Sequence, residues 1–290
     1  MTLSCVGVLA KPGETRSAQF VSRARRRLAA AGVELVADCR IPDLTPEIEA
    51  VPTEQLARRA DLLLVLGGDG TMLQAAHLLD QRELPVMGVN FGSLGYLTEF
   101  ASDEFDAALE LLLRGEVAVS RRLMLRAEIQ RGAERRGCGS VLNDVVLHRL
   151  SLARMVELEC WVDGDFMTRF RCDGLIVATP TGSTAHNLSA GGPIIEPELE
   201  ALAITPICPH TLSNRPVVLS GGATIELRPA FNSEPVTLTL DGQTGVEVLP
   251  DQQVYVRAAA QRFQVVHPRG RSYFKVLRDK LHWGGEVQRG

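Results

Sequence analysis

The sequence predicts an α/β domain followed by an all-β domain. Residues 62–66 read LLLVL, and a run that is apolar at every position is typical of a strand buried on both faces in a parallel sheet. Strand and helix patterns alternate up to about residue 115, whereas residues 120–267 are mostly short runs of alternating polarity. We therefore expect a three-layer α/β domain with a mainly parallel sheet, then a β-sandwich-like domain, with a tail that returns to the first domain.

The first domain is predicted to span residues 1–115 and to receive the tail, residues 268–290. The segment SCVGVLAKPG reads as a strand and a loop, the arginine-rich segment ending at Gly32 as a helix, and VELVADC as a second strand. A stretch broken by three prolines reads as a loop, and LPVMGVN is a further apolar strand. The amphipathic helix in DEFDAALELLLRGE stops at Gly115, which places the domain boundary near Glu116.

The second domain, residues 116–267, is predicted to contain antiparallel strands packed as a sandwich. Runs such as LMLRAEIQ, MVELECWV, FMTRFRC, PVTLTLDGQ and QVYVRAAA alternate between apolar and polar residues. Asp163-Gly164 lies between two of these runs, as a tight hairpin turn requires. The tail segment SYFKVLRDKLHW has a helical pattern, and we expect it to pack on the first domain or on a partner subunit.

Composition restricts the classes of function. The 290 residues are 45% hydrophobic and 23% charged, which suffices for a sizeable core and two domains. A net charge of −4 and a pI near 5.9 provide no broad attraction to nucleic acid or to anionic membranes. The six cysteines lack the spacing of a zinc site or a disulfide framework, and no signal peptide or membrane span is evident. We expect a cytoplasmic protein with no nucleic-acid or membrane partner and no metal site built from its own side chains.

Residues 60–79 contain the loop on which the functional interpretation depends. An apolar strand leads into GGDGT, which is followed by a helical pattern. Gly67, Gly68 and Gly70 allow a sharp turn and the close approach of an anion, and the free N–H groups of the next helix favour a phosphate there. Thr71 completes the predicted phosphate loop. Neither GxxxxGK[ST] nor an early GxGxxG occurs, so this is neither a P-loop nor a Rossmann fingerprint.

Asp69 is the unusual member of this loop. A carboxylate beside phosphates is repelled unless it binds a metal or accepts a proton or a hydrogen bond from a hydroxyl. The combination therefore indicates phosphoryl transfer onto an alcohol. The simpler alternative is a strand-to-helix turn in which Asp69 only caps the helix.

Two other segments are expected near this loop. NFGSLGYLTEF follows the strand LPVMGVN, and its Gly92 and Gly95 mark a backbone that bends tightly at the same sheet edge. Residues 173–195 consist of an apolar strand and a stretch rich in Thr, Ser and Gly that is longer than a mere connection. Such a stretch offers hydroxyls and amides to a polar ligand, and we expect it to face the GGDGT loop.

Five motifs occur together and in order: GGDGT, NxGxLGYLTE, NDVVLHR, DGLIVATPTGSTA with SAGGP, and LDGQ. In this combination the chain resembles the NAD kinase family, although GGDG alone also occurs in diacylglycerol-type lipid kinases and in phosphofructokinases. The resemblance extends from the GGDGT strand to the KLHW tail. It implies transfer of a phosphoryl group from ATP, or from polyphosphate in some members, to the 2′-hydroxyl of the adenosine ribose of NAD, which gives NADP.

The resemblance also implies roles for single residues. Asp69 matches the proton acceptor at the attacking hydroxyl, and both Asp69 and the adjacent Gly70 match contacts to NAD. Further positions match contacts to NAD, namely Asn143 and Asp144 in NDVVLHR, Arg154, Arg171, Asp173, the loop residues Thr184, Ala185, His186 and Asn187, and Gln243 in LDGQ. Because these motifs come from both predicted domains, the dinucleotide is expected in a cleft between them.

Taken singly, several of these residues have simpler explanations. Asn143 and Asp144 could form an Asx turn. Arg171 could be a surface charge on a strand, and Gln243 could belong to a hairpin loop. Unrelated turns have no reason to reproduce five motifs in order, so the joint pattern favours ligand binding.

Two positions depart from the family pattern. Tyr96 stands where Phe is usual and keeps an aromatic ring. His186 stands where the family mostly has Tyr, so a large stacking ring is replaced by a smaller one that can titrate near neutral pH.

The resemblance implies further partners and leaves two alternatives. Mg²⁺ or another divalent cation is expected mainly with ATP, because the donor phosphates need their charge neutralised. A homo-oligomer, a dimer or a tetramer, is expected from the family. The alternatives are a lipid kinase that shares the GGDGT loop and a non-catalytic dinucleotide-binding regulator. A lipid kinase acts at membranes, and the sequence shows no basic amphipathic helix or lipidation signal.

Overall fold

The computed structural model describes residues 3–79, 82–92, 95–149, 155–211, 213–231 and 233–283. The chain forms two compact units. The first consists of the described residues of Met1–Leu78, Leu84–Ser120 and Gln264–Gly290, and the second of those of Leu79–Glu83 and Arg121–Phe263. The first unit is an α/β fold and the second is antiparallel, which confirms the predicted fold class.

The helices and strands follow in chain order. Up to residue 113 they are β1 (Cys5–Ala10), α1 (Ser17–Ala30), β2 (Glu34–Asp38), β3 (Glu49–Val51), α2 (Thr53–Arg59), β4 (Leu62–Leu66), α3 (Asp69–Leu78), β5 (Pro85–Asn90), β6 (Phe100–Ala101), the 3-10 helix Ser102–Glu104 and α4 (Phe105–Leu113). From residue 117 they are β7 (Val117–Arg131), β8 (Glu134–Val141), β9 (Asp144–Arg149), β10 (Val156–Val162), β11 (Asp165–Cys172), β12 (Gly174–Ala178), the 3-10 helix Gly182–Thr184, α5 (His186–Ser189), β13 (Ala201–Ile207), β14 (Val217–Ser220), β15 (Ile225–Pro229), β16 (Val236–Leu240), β17 (Thr244–Val248), β18 (Gln253–Pro268) and α6 (Tyr273–Leu281).

The first unit is built on a parallel sheet. Its strands β3, β2, β1, β4 and β5 lie side by side in that order. Every residue of β1 and β4 is buried, as expected of strands covered on both faces. β5 also pairs in parallel with the end of β18 and with β6. Because β4 and β5 are parallel neighbours, the segments that follow their carboxyl ends emerge at the same sheet edge.

Helices cover both faces of this sheet, as the predicted three layers require. Val8 and Leu64 pack in one cluster with Phe20 of α1 and Phe105 of α4. On the other face, a Cβ added to Gly7 of β1 would lie 3.5 Å from Cδ2 of Leu56 in α2. Among the helices that the structure describes, none combines the length and the apolar character needed to cross a membrane.

The proline-broken stretch of the first unit was predicted wrongly as a loop. It contains β3 and α2. Pro52 immediately precedes α2, a position where the missing N–H of proline interrupts no helical hydrogen bond. Glu54 lies in the first turn and Arg58 and Arg59 in the last, which suits the helix dipole. The prolines therefore delimit short elements instead of preventing them.

The second unit is a sandwich of two antiparallel sheets. One has the strand order β14, β13, β12, β9, β16, β17. The other contains β11, β10, β15 and β18, with β7 paired to β18 and β8. Inward-facing residues of both sheets share one core, which includes Leu147, Leu158, Val177 and Leu227.

Two details of this sandwich test the sequence interpretation. Asp163 and Gly164 have φ of 52° and 90° and connect the antiparallel pair β10 and β11, so the predicted hairpin turn is confirmed. β13 was not predicted. Pro206 lies within it, opposite Leu175, and a proline normally argues against a strand inside a sheet.

The tail returns to the first unit, as predicted. β18 pairs with β15 near its start, through residues 254–256, and its Gln264 and Val265 pair with β5. α6 follows in the first unit. The boundaries after Ser120 and Phe263 fall within β7 and β18, which each continue from one unit into the other.

Candidate active site

The GGDGT loop connects β4 to α3 in the first unit. A Cβ on Gly67 would lie 3.0 Å from Cβ of Thr71 and closer still to its Oγ1, so this position tolerates only glycine unless Thr71 moves. Thr71 itself is buried, and its N–H donates to Gly68 O at 2.9 Å. Gly70 is exposed, with no heavy atom within 4 Å of an added Cβ. The loop is therefore packed on its inner side and open at Gly70.

The Asp69 carboxylate is held by the backbone of the NFGSLGYLTEF motif. Tyr96 N–H donates to Oδ2 at 2.9 Å, and Leu97 N–H donates to Oδ1 at 3.0 Å. A capping aspartate would accept N–H groups of its own helix, but those of Thr71 and Met72 donate to Gly68 O. The capping alternative therefore does not describe this residue. A carboxylate has about four acceptor positions, so two amide donors leave capacity for a further hydrogen bond.

Gly95 explains how this motif comes so close to Asp69. A Cβ there would lie 2.6 Å from Asp69 Cγ, in overlap with Oδ1, and 2.8 Å from Thr98 Oγ1. Gly95 N–H donates to the same Thr98 hydroxyl at 2.9 Å. The two glycine-containing segments predicted at one sheet edge are thus in direct contact, through Asp69.

In the second unit, Asp241 holds the backbone that carries two predicted NAD contacts. It lies at the turn between β16 and β17 with a left-handed φ of 49°. Its carboxylate accepts N–H groups at 3.0, 2.8 and 3.1 Å, from Leu142, Asn143 and Asp144. Sequence reasoning missed this residue. The available signal was the LDGQ motif, from which only Gln243 was selected.

The Asp144 carboxyl lies in an unfavourable environment for a charge. It is 4% exposed. Burial and, to a lesser extent, the charge of the neighbouring Asp241 carboxylate together raise its pKa to about 7. Asp144 therefore exchanges its proton near neutral pH.

The polar loop after β12 lies on the backbone of Asn143. Thr179 Oγ1 donates to Leu142 O at 2.6 Å, and Thr179 N–H donates to Asn143 O at 2.9 Å. A Cβ on Gly182 would lie 2.6 Å from Asn143 Cα. The structure thus brings NDVVLHR and the TGSTA loop together, with Asn143 partly buried between them.

Asn187 holds this loop in shape. It is fully buried, and its Nδ2 donates to Ser183 O at 3.1 Å and to Pro193 O at 3.0 Å. Its Oδ1 accepts the Thr205 hydroxyl at 2.6 Å. A Cβ on Gly192 would lie 2.5 Å from Asn187 Cγ. The Asn187 side chain therefore makes its hydrogen bonds to other groups of the protein.

The neighbouring loop residues are more accessible. Thr184 and Ala185 are half-buried, and Thr184 Oγ1 donates to Thr181 O at 3.2 Å. His186 is exposed as a residue, yet partial burial of its ring lowers its pKa, and His148 lowers that pKa further. Accessible hydroxyl, methyl and imidazole groups lie side by side here.

The predicted charged contacts have partners within the second unit. Arg171 Nε lies 3.1 Å from Oε1 of Glu157, and Asp173 Oδ1 lies 3.1 Å from Nη1 of Arg149. A ligand that binds them must exchange or share these ion pairs. Gln243 is exposed. The remaining predicted contact, Arg154, lies outside the described residues.

Within the described part of the chain, His, Cys, Asp and Glu do not assemble in groups of three or more that could hold a metal ion.

Comparison with known proteins identifies the family. Residues 6–117 match the model of the ATP-NAD kinase N-terminal domain, and residues 142–268 match that of the ATP-NAD kinase C-terminal domain. The chain belongs to the ATP-NAD kinase family. Curated members named NAD kinase include one from Geotalea daltonii, 50% identical over 231 residues, which are 80% of this chain and 81% of that protein. Another, from Geobacter sulfurreducens, is 47% identical over 264 residues, which are 87% and 92% of the two chains.

Solved structures of the family share the fold. Yeast NADH kinase complexed with NADH has a TM-score of 0.86 at 27% identity, covering 100% of this chain and 91% of that one. An NAD kinase from Archaeoglobus fulgidus in complex with ATP has a TM-score of 0.74 at 28% identity, covering 96% and 98%. The matches span both units, so the family assignment applies to the whole chain.

The first prediction concerns the contact between Gly95 and Asp69. Gly95→Ala should lower the free energy of unfolding by about 1–3 kcal/mol, the usual cost of overpacking, because the new methyl group overlaps the carboxylate. Urea denaturation measures this. Gly92→Ala is the matched control, since a Cβ at Gly92 meets its nearest atom, Asn90 Oδ1, at 3.9 Å. Equal stabilities of the two variants would contradict the close contact.

The second prediction concerns the pKa of Asp144. Between about pH 4 and 7 the unfolded chain loses the Asp144 proton while the folded protein keeps it. This group's contribution to stability is therefore complete below about pH 4 and is lost as pH rises through 7, at roughly 1 kcal/mol per pH unit. Asp144→Asn cannot ionise, so its stability relative to wild type should improve between pH 5 and 7.5.

Urea denaturation at several pH values would measure this difference. Asp251→Asn, at an aspartate on the surface, is the control and should follow the wild-type pH profile. If the Asp144→Asn profile also ran parallel to wild type, the raised pKa would be refuted.

Proposed function

We propose that this chain transfers the γ-phosphoryl group of ATP to the 2′-hydroxyl of the adenosine ribose of NAD and so produces NADP. The observation that carries the proposal is the Asp69 carboxylate, which two backbone amides orient at a glycine-rich strand-to-helix turn. Membership of the ATP-NAD kinase family supports it. Related proteins have been solved with NADH and with ATP, the two ligand classes that the reaction requires.

In this proposal, Asp69 accepts the proton of the 2′-hydroxyl as the oxygen attacks the γ-phosphorus. The bond between the γ-phosphorus and the bridging oxygen breaks, and ADP leaves with that electron pair. Phosphate oxygens are bound by the open backbone at Gly70 and the amino-terminal end of α3. Mg²⁺ bound with ATP would supply the positive charge that neutralises the donor phosphates.

The proposed NAD contacts of the second unit come from a pre-formed backbone. Asn143 and Asp144 are positioned by the Asp241 carboxylate, and the loop with Thr184 and Ala185 lies against the same strand end. A site whose polar groups are already ordered loses little entropy on binding. Arg171, Asp173 and Gln243 remain predicted contacts.

Two other functions lead to different experimental outcomes. A lipid kinase would phosphorylate diacylglycerol, and a regulator would bind dinucleotides without turnover. Incubation of the purified protein with Mg-ATP and either NAD or a diacylglycerol dispersion distinguishes them, with NADP and phospholipid as readouts. We expect NADP alone. Polyphosphate in place of ATP tests the donor, and we further propose a cytoplasmic homo-oligomer.

The third prediction tests Asp69 as the proton acceptor. Asp69→Asn should lower kcat by about 10² or more, the usual scale for the loss of a general base, while much of the affinity for NAD remains. Steady-state kinetics of NADP formation measures both. Asp251→Asn, which changes an exposed aspartate in the same way, should keep wild-type kinetics. Near-wild-type turnover of Asp69→Asn would exclude the proposed role.

The fourth prediction concerns His186, where the family mostly has Tyr. If this ring stacks on the ligand, His186→Tyr should keep KM for NAD equal or lower it severalfold. The larger ring offers more area to an aromatic partner, and an aromatic pair contributes about 0.5–1.5 kcal/mol beyond its buried area. His186→Ala should raise KM.

A protonated His186 would repel the cationic nicotinamide ring. Because burial and His148 lower the pKa of His186, wild-type affinity should weaken only below about pH 6.5, the unperturbed histidine value.

KM for NAD between pH 5 and 8 would be compared in wild type and both variants. Wild type should lose affinity at acidic pH more than His186→Tyr does. Parallel pH profiles, together with normal binding by His186→Ala, would show that this residue does not contact NAD.

A further inference from the structure

Arg271, between β18 and α6, makes two contacts with Glu99. Its Nε lies 2.8 Å from Oε2 of Glu99, and its Nη1 donates to the backbone carbonyl of the same residue. The side chains are 18% and 10% exposed. A rigid guanidinium that contacts a carboxylate and a carbonyl together restrains both the side chain and the main chain of Glu99.

Glu99 belongs to the segment that holds Asp69. It follows Thr98, whose hydroxyl accepts Gly95 N–H at 2.9 Å and Asn90 Nδ2 at 3.3 Å. It precedes Phe100, which pairs with β5. Hydrogen bonds therefore fasten this segment on both sides of Glu99, and the ion pair with Arg271 adds a restraint from the tail.

We propose that Arg271 is a positioning residue for phosphoryl transfer, because through Glu99 it holds the backbone amides that orient the Asp69 carboxylate. The inference rests on the proposed function of Asp69. Arg271 touches neither substrate in this scheme. Its loss would leave Glu99 mostly buried without this cation, so the segment would shift to bring the carboxylate to water. The amides of Tyr96 and Leu97 would move with it.

The kinetic test uses Arg271→Ala, with Arg269→Ala as the matched control. Arg269 lies in the same tail but donates to the carbonyls of Gly115 and Val117, outside the segment that holds Asp69. We expect Arg271→Ala to lower kcat at least about tenfold, since a misplacement of about 1 Å can cost 10² in rate. KM for NAD should stay within about twofold, because the proposed NAD contacts other than Asp69 and Gly70 lie in the second unit. Arg269→Ala should match wild type.

Arg271→Lys keeps the test decisive if the alanine variant does not fold. A lysine retains the charge opposite Glu99 but offers a single ammonium in place of the guanidinium fork. Its kcat should lie between those of wild type and Arg271→Ala, with KM unchanged. Wild-type kcat in a folded Arg271→Lys or Arg271→Ala protein overturns the proposal, as does a rise in KM that accounts for the whole loss of kcat/KM.

A second measurement does not depend on activity. Amide hydrogen exchange at Tyr96 and Leu97 should be faster in Arg271→Ala than in wild type or Arg269→Ala. Unchanged exchange overturns the proposal. If the wild-type protein makes no NADP and the exchange difference is present, the proposed function fails. Arg271 is then still shown to order the Tyr96 and Leu97 amides that hold Asp69.

Discussion

The candidate site of the first unit depends on the hydrogen bonds from two backbone amides to the Asp69 carboxylate. Backbone donors have no rotamers of their own, so they orient a carboxylate without the entropy cost of an ordered side chain. They can reach Asp69 because β4 and β5 are parallel neighbours and because Gly95 has no side chain to keep the segments apart. The sheet topology and the missing side chain of Gly95 thus together allow the backbone to orient Asp69.

The second unit uses the same interaction for a different purpose. Asp241 accepts three amide donors, whereas Asp69 accepts two. With about four acceptor positions per carboxylate, Asp241 is nearly saturated and serves to hold the backbone. Asp69 retains capacity for the hydroxyl of a substrate. The number of amide donors therefore distinguishes Asp241, which holds the backbone, from Asp69, the proposed proton acceptor.

The arrangement around Asp241 places the Asp144 carboxyl where its charged form is unfavourable. The Asp241 carboxylate holds the backbone of Asp144, so the Asp144 carboxyl lies buried near another carboxylate. Burial and this neighbouring charge raise the pKa of Asp144 to about 7. A carboxyl that is partly neutral at physiological pH can donate a hydrogen bond as well as accept one. Groups with strongly perturbed pKa values are concentrated at functional sites, which agrees with the proposed contact between Asp144 and NAD.

Sequence alone determined the elements whose signal is local. The LLLVL strand, the helix that starts at Asp69, the Asp163-Gly164 hairpin and the polar loop after β12 follow from patterns within a few residues, and the motifs identified the family before any contact was known. Composition was misleading where three prolines suggested a loop, because their position relative to α2 mattered more than their number.

Only the tertiary structure decided which residues hold the site together. Asp69 meets amides 27 and 28 residues away, Asp241 meets amides 97 to 99 residues away, and Arg271 meets Glu99 across 172 residues. Arg171 and Asp173 likewise turned out to be ion-paired with Glu157 and Arg149. Periodicity and turn chemistry report the conformation of neighbouring residues. Contacts between distant residues depend on strand order and on the space around each atom, which exist only in the folded chain.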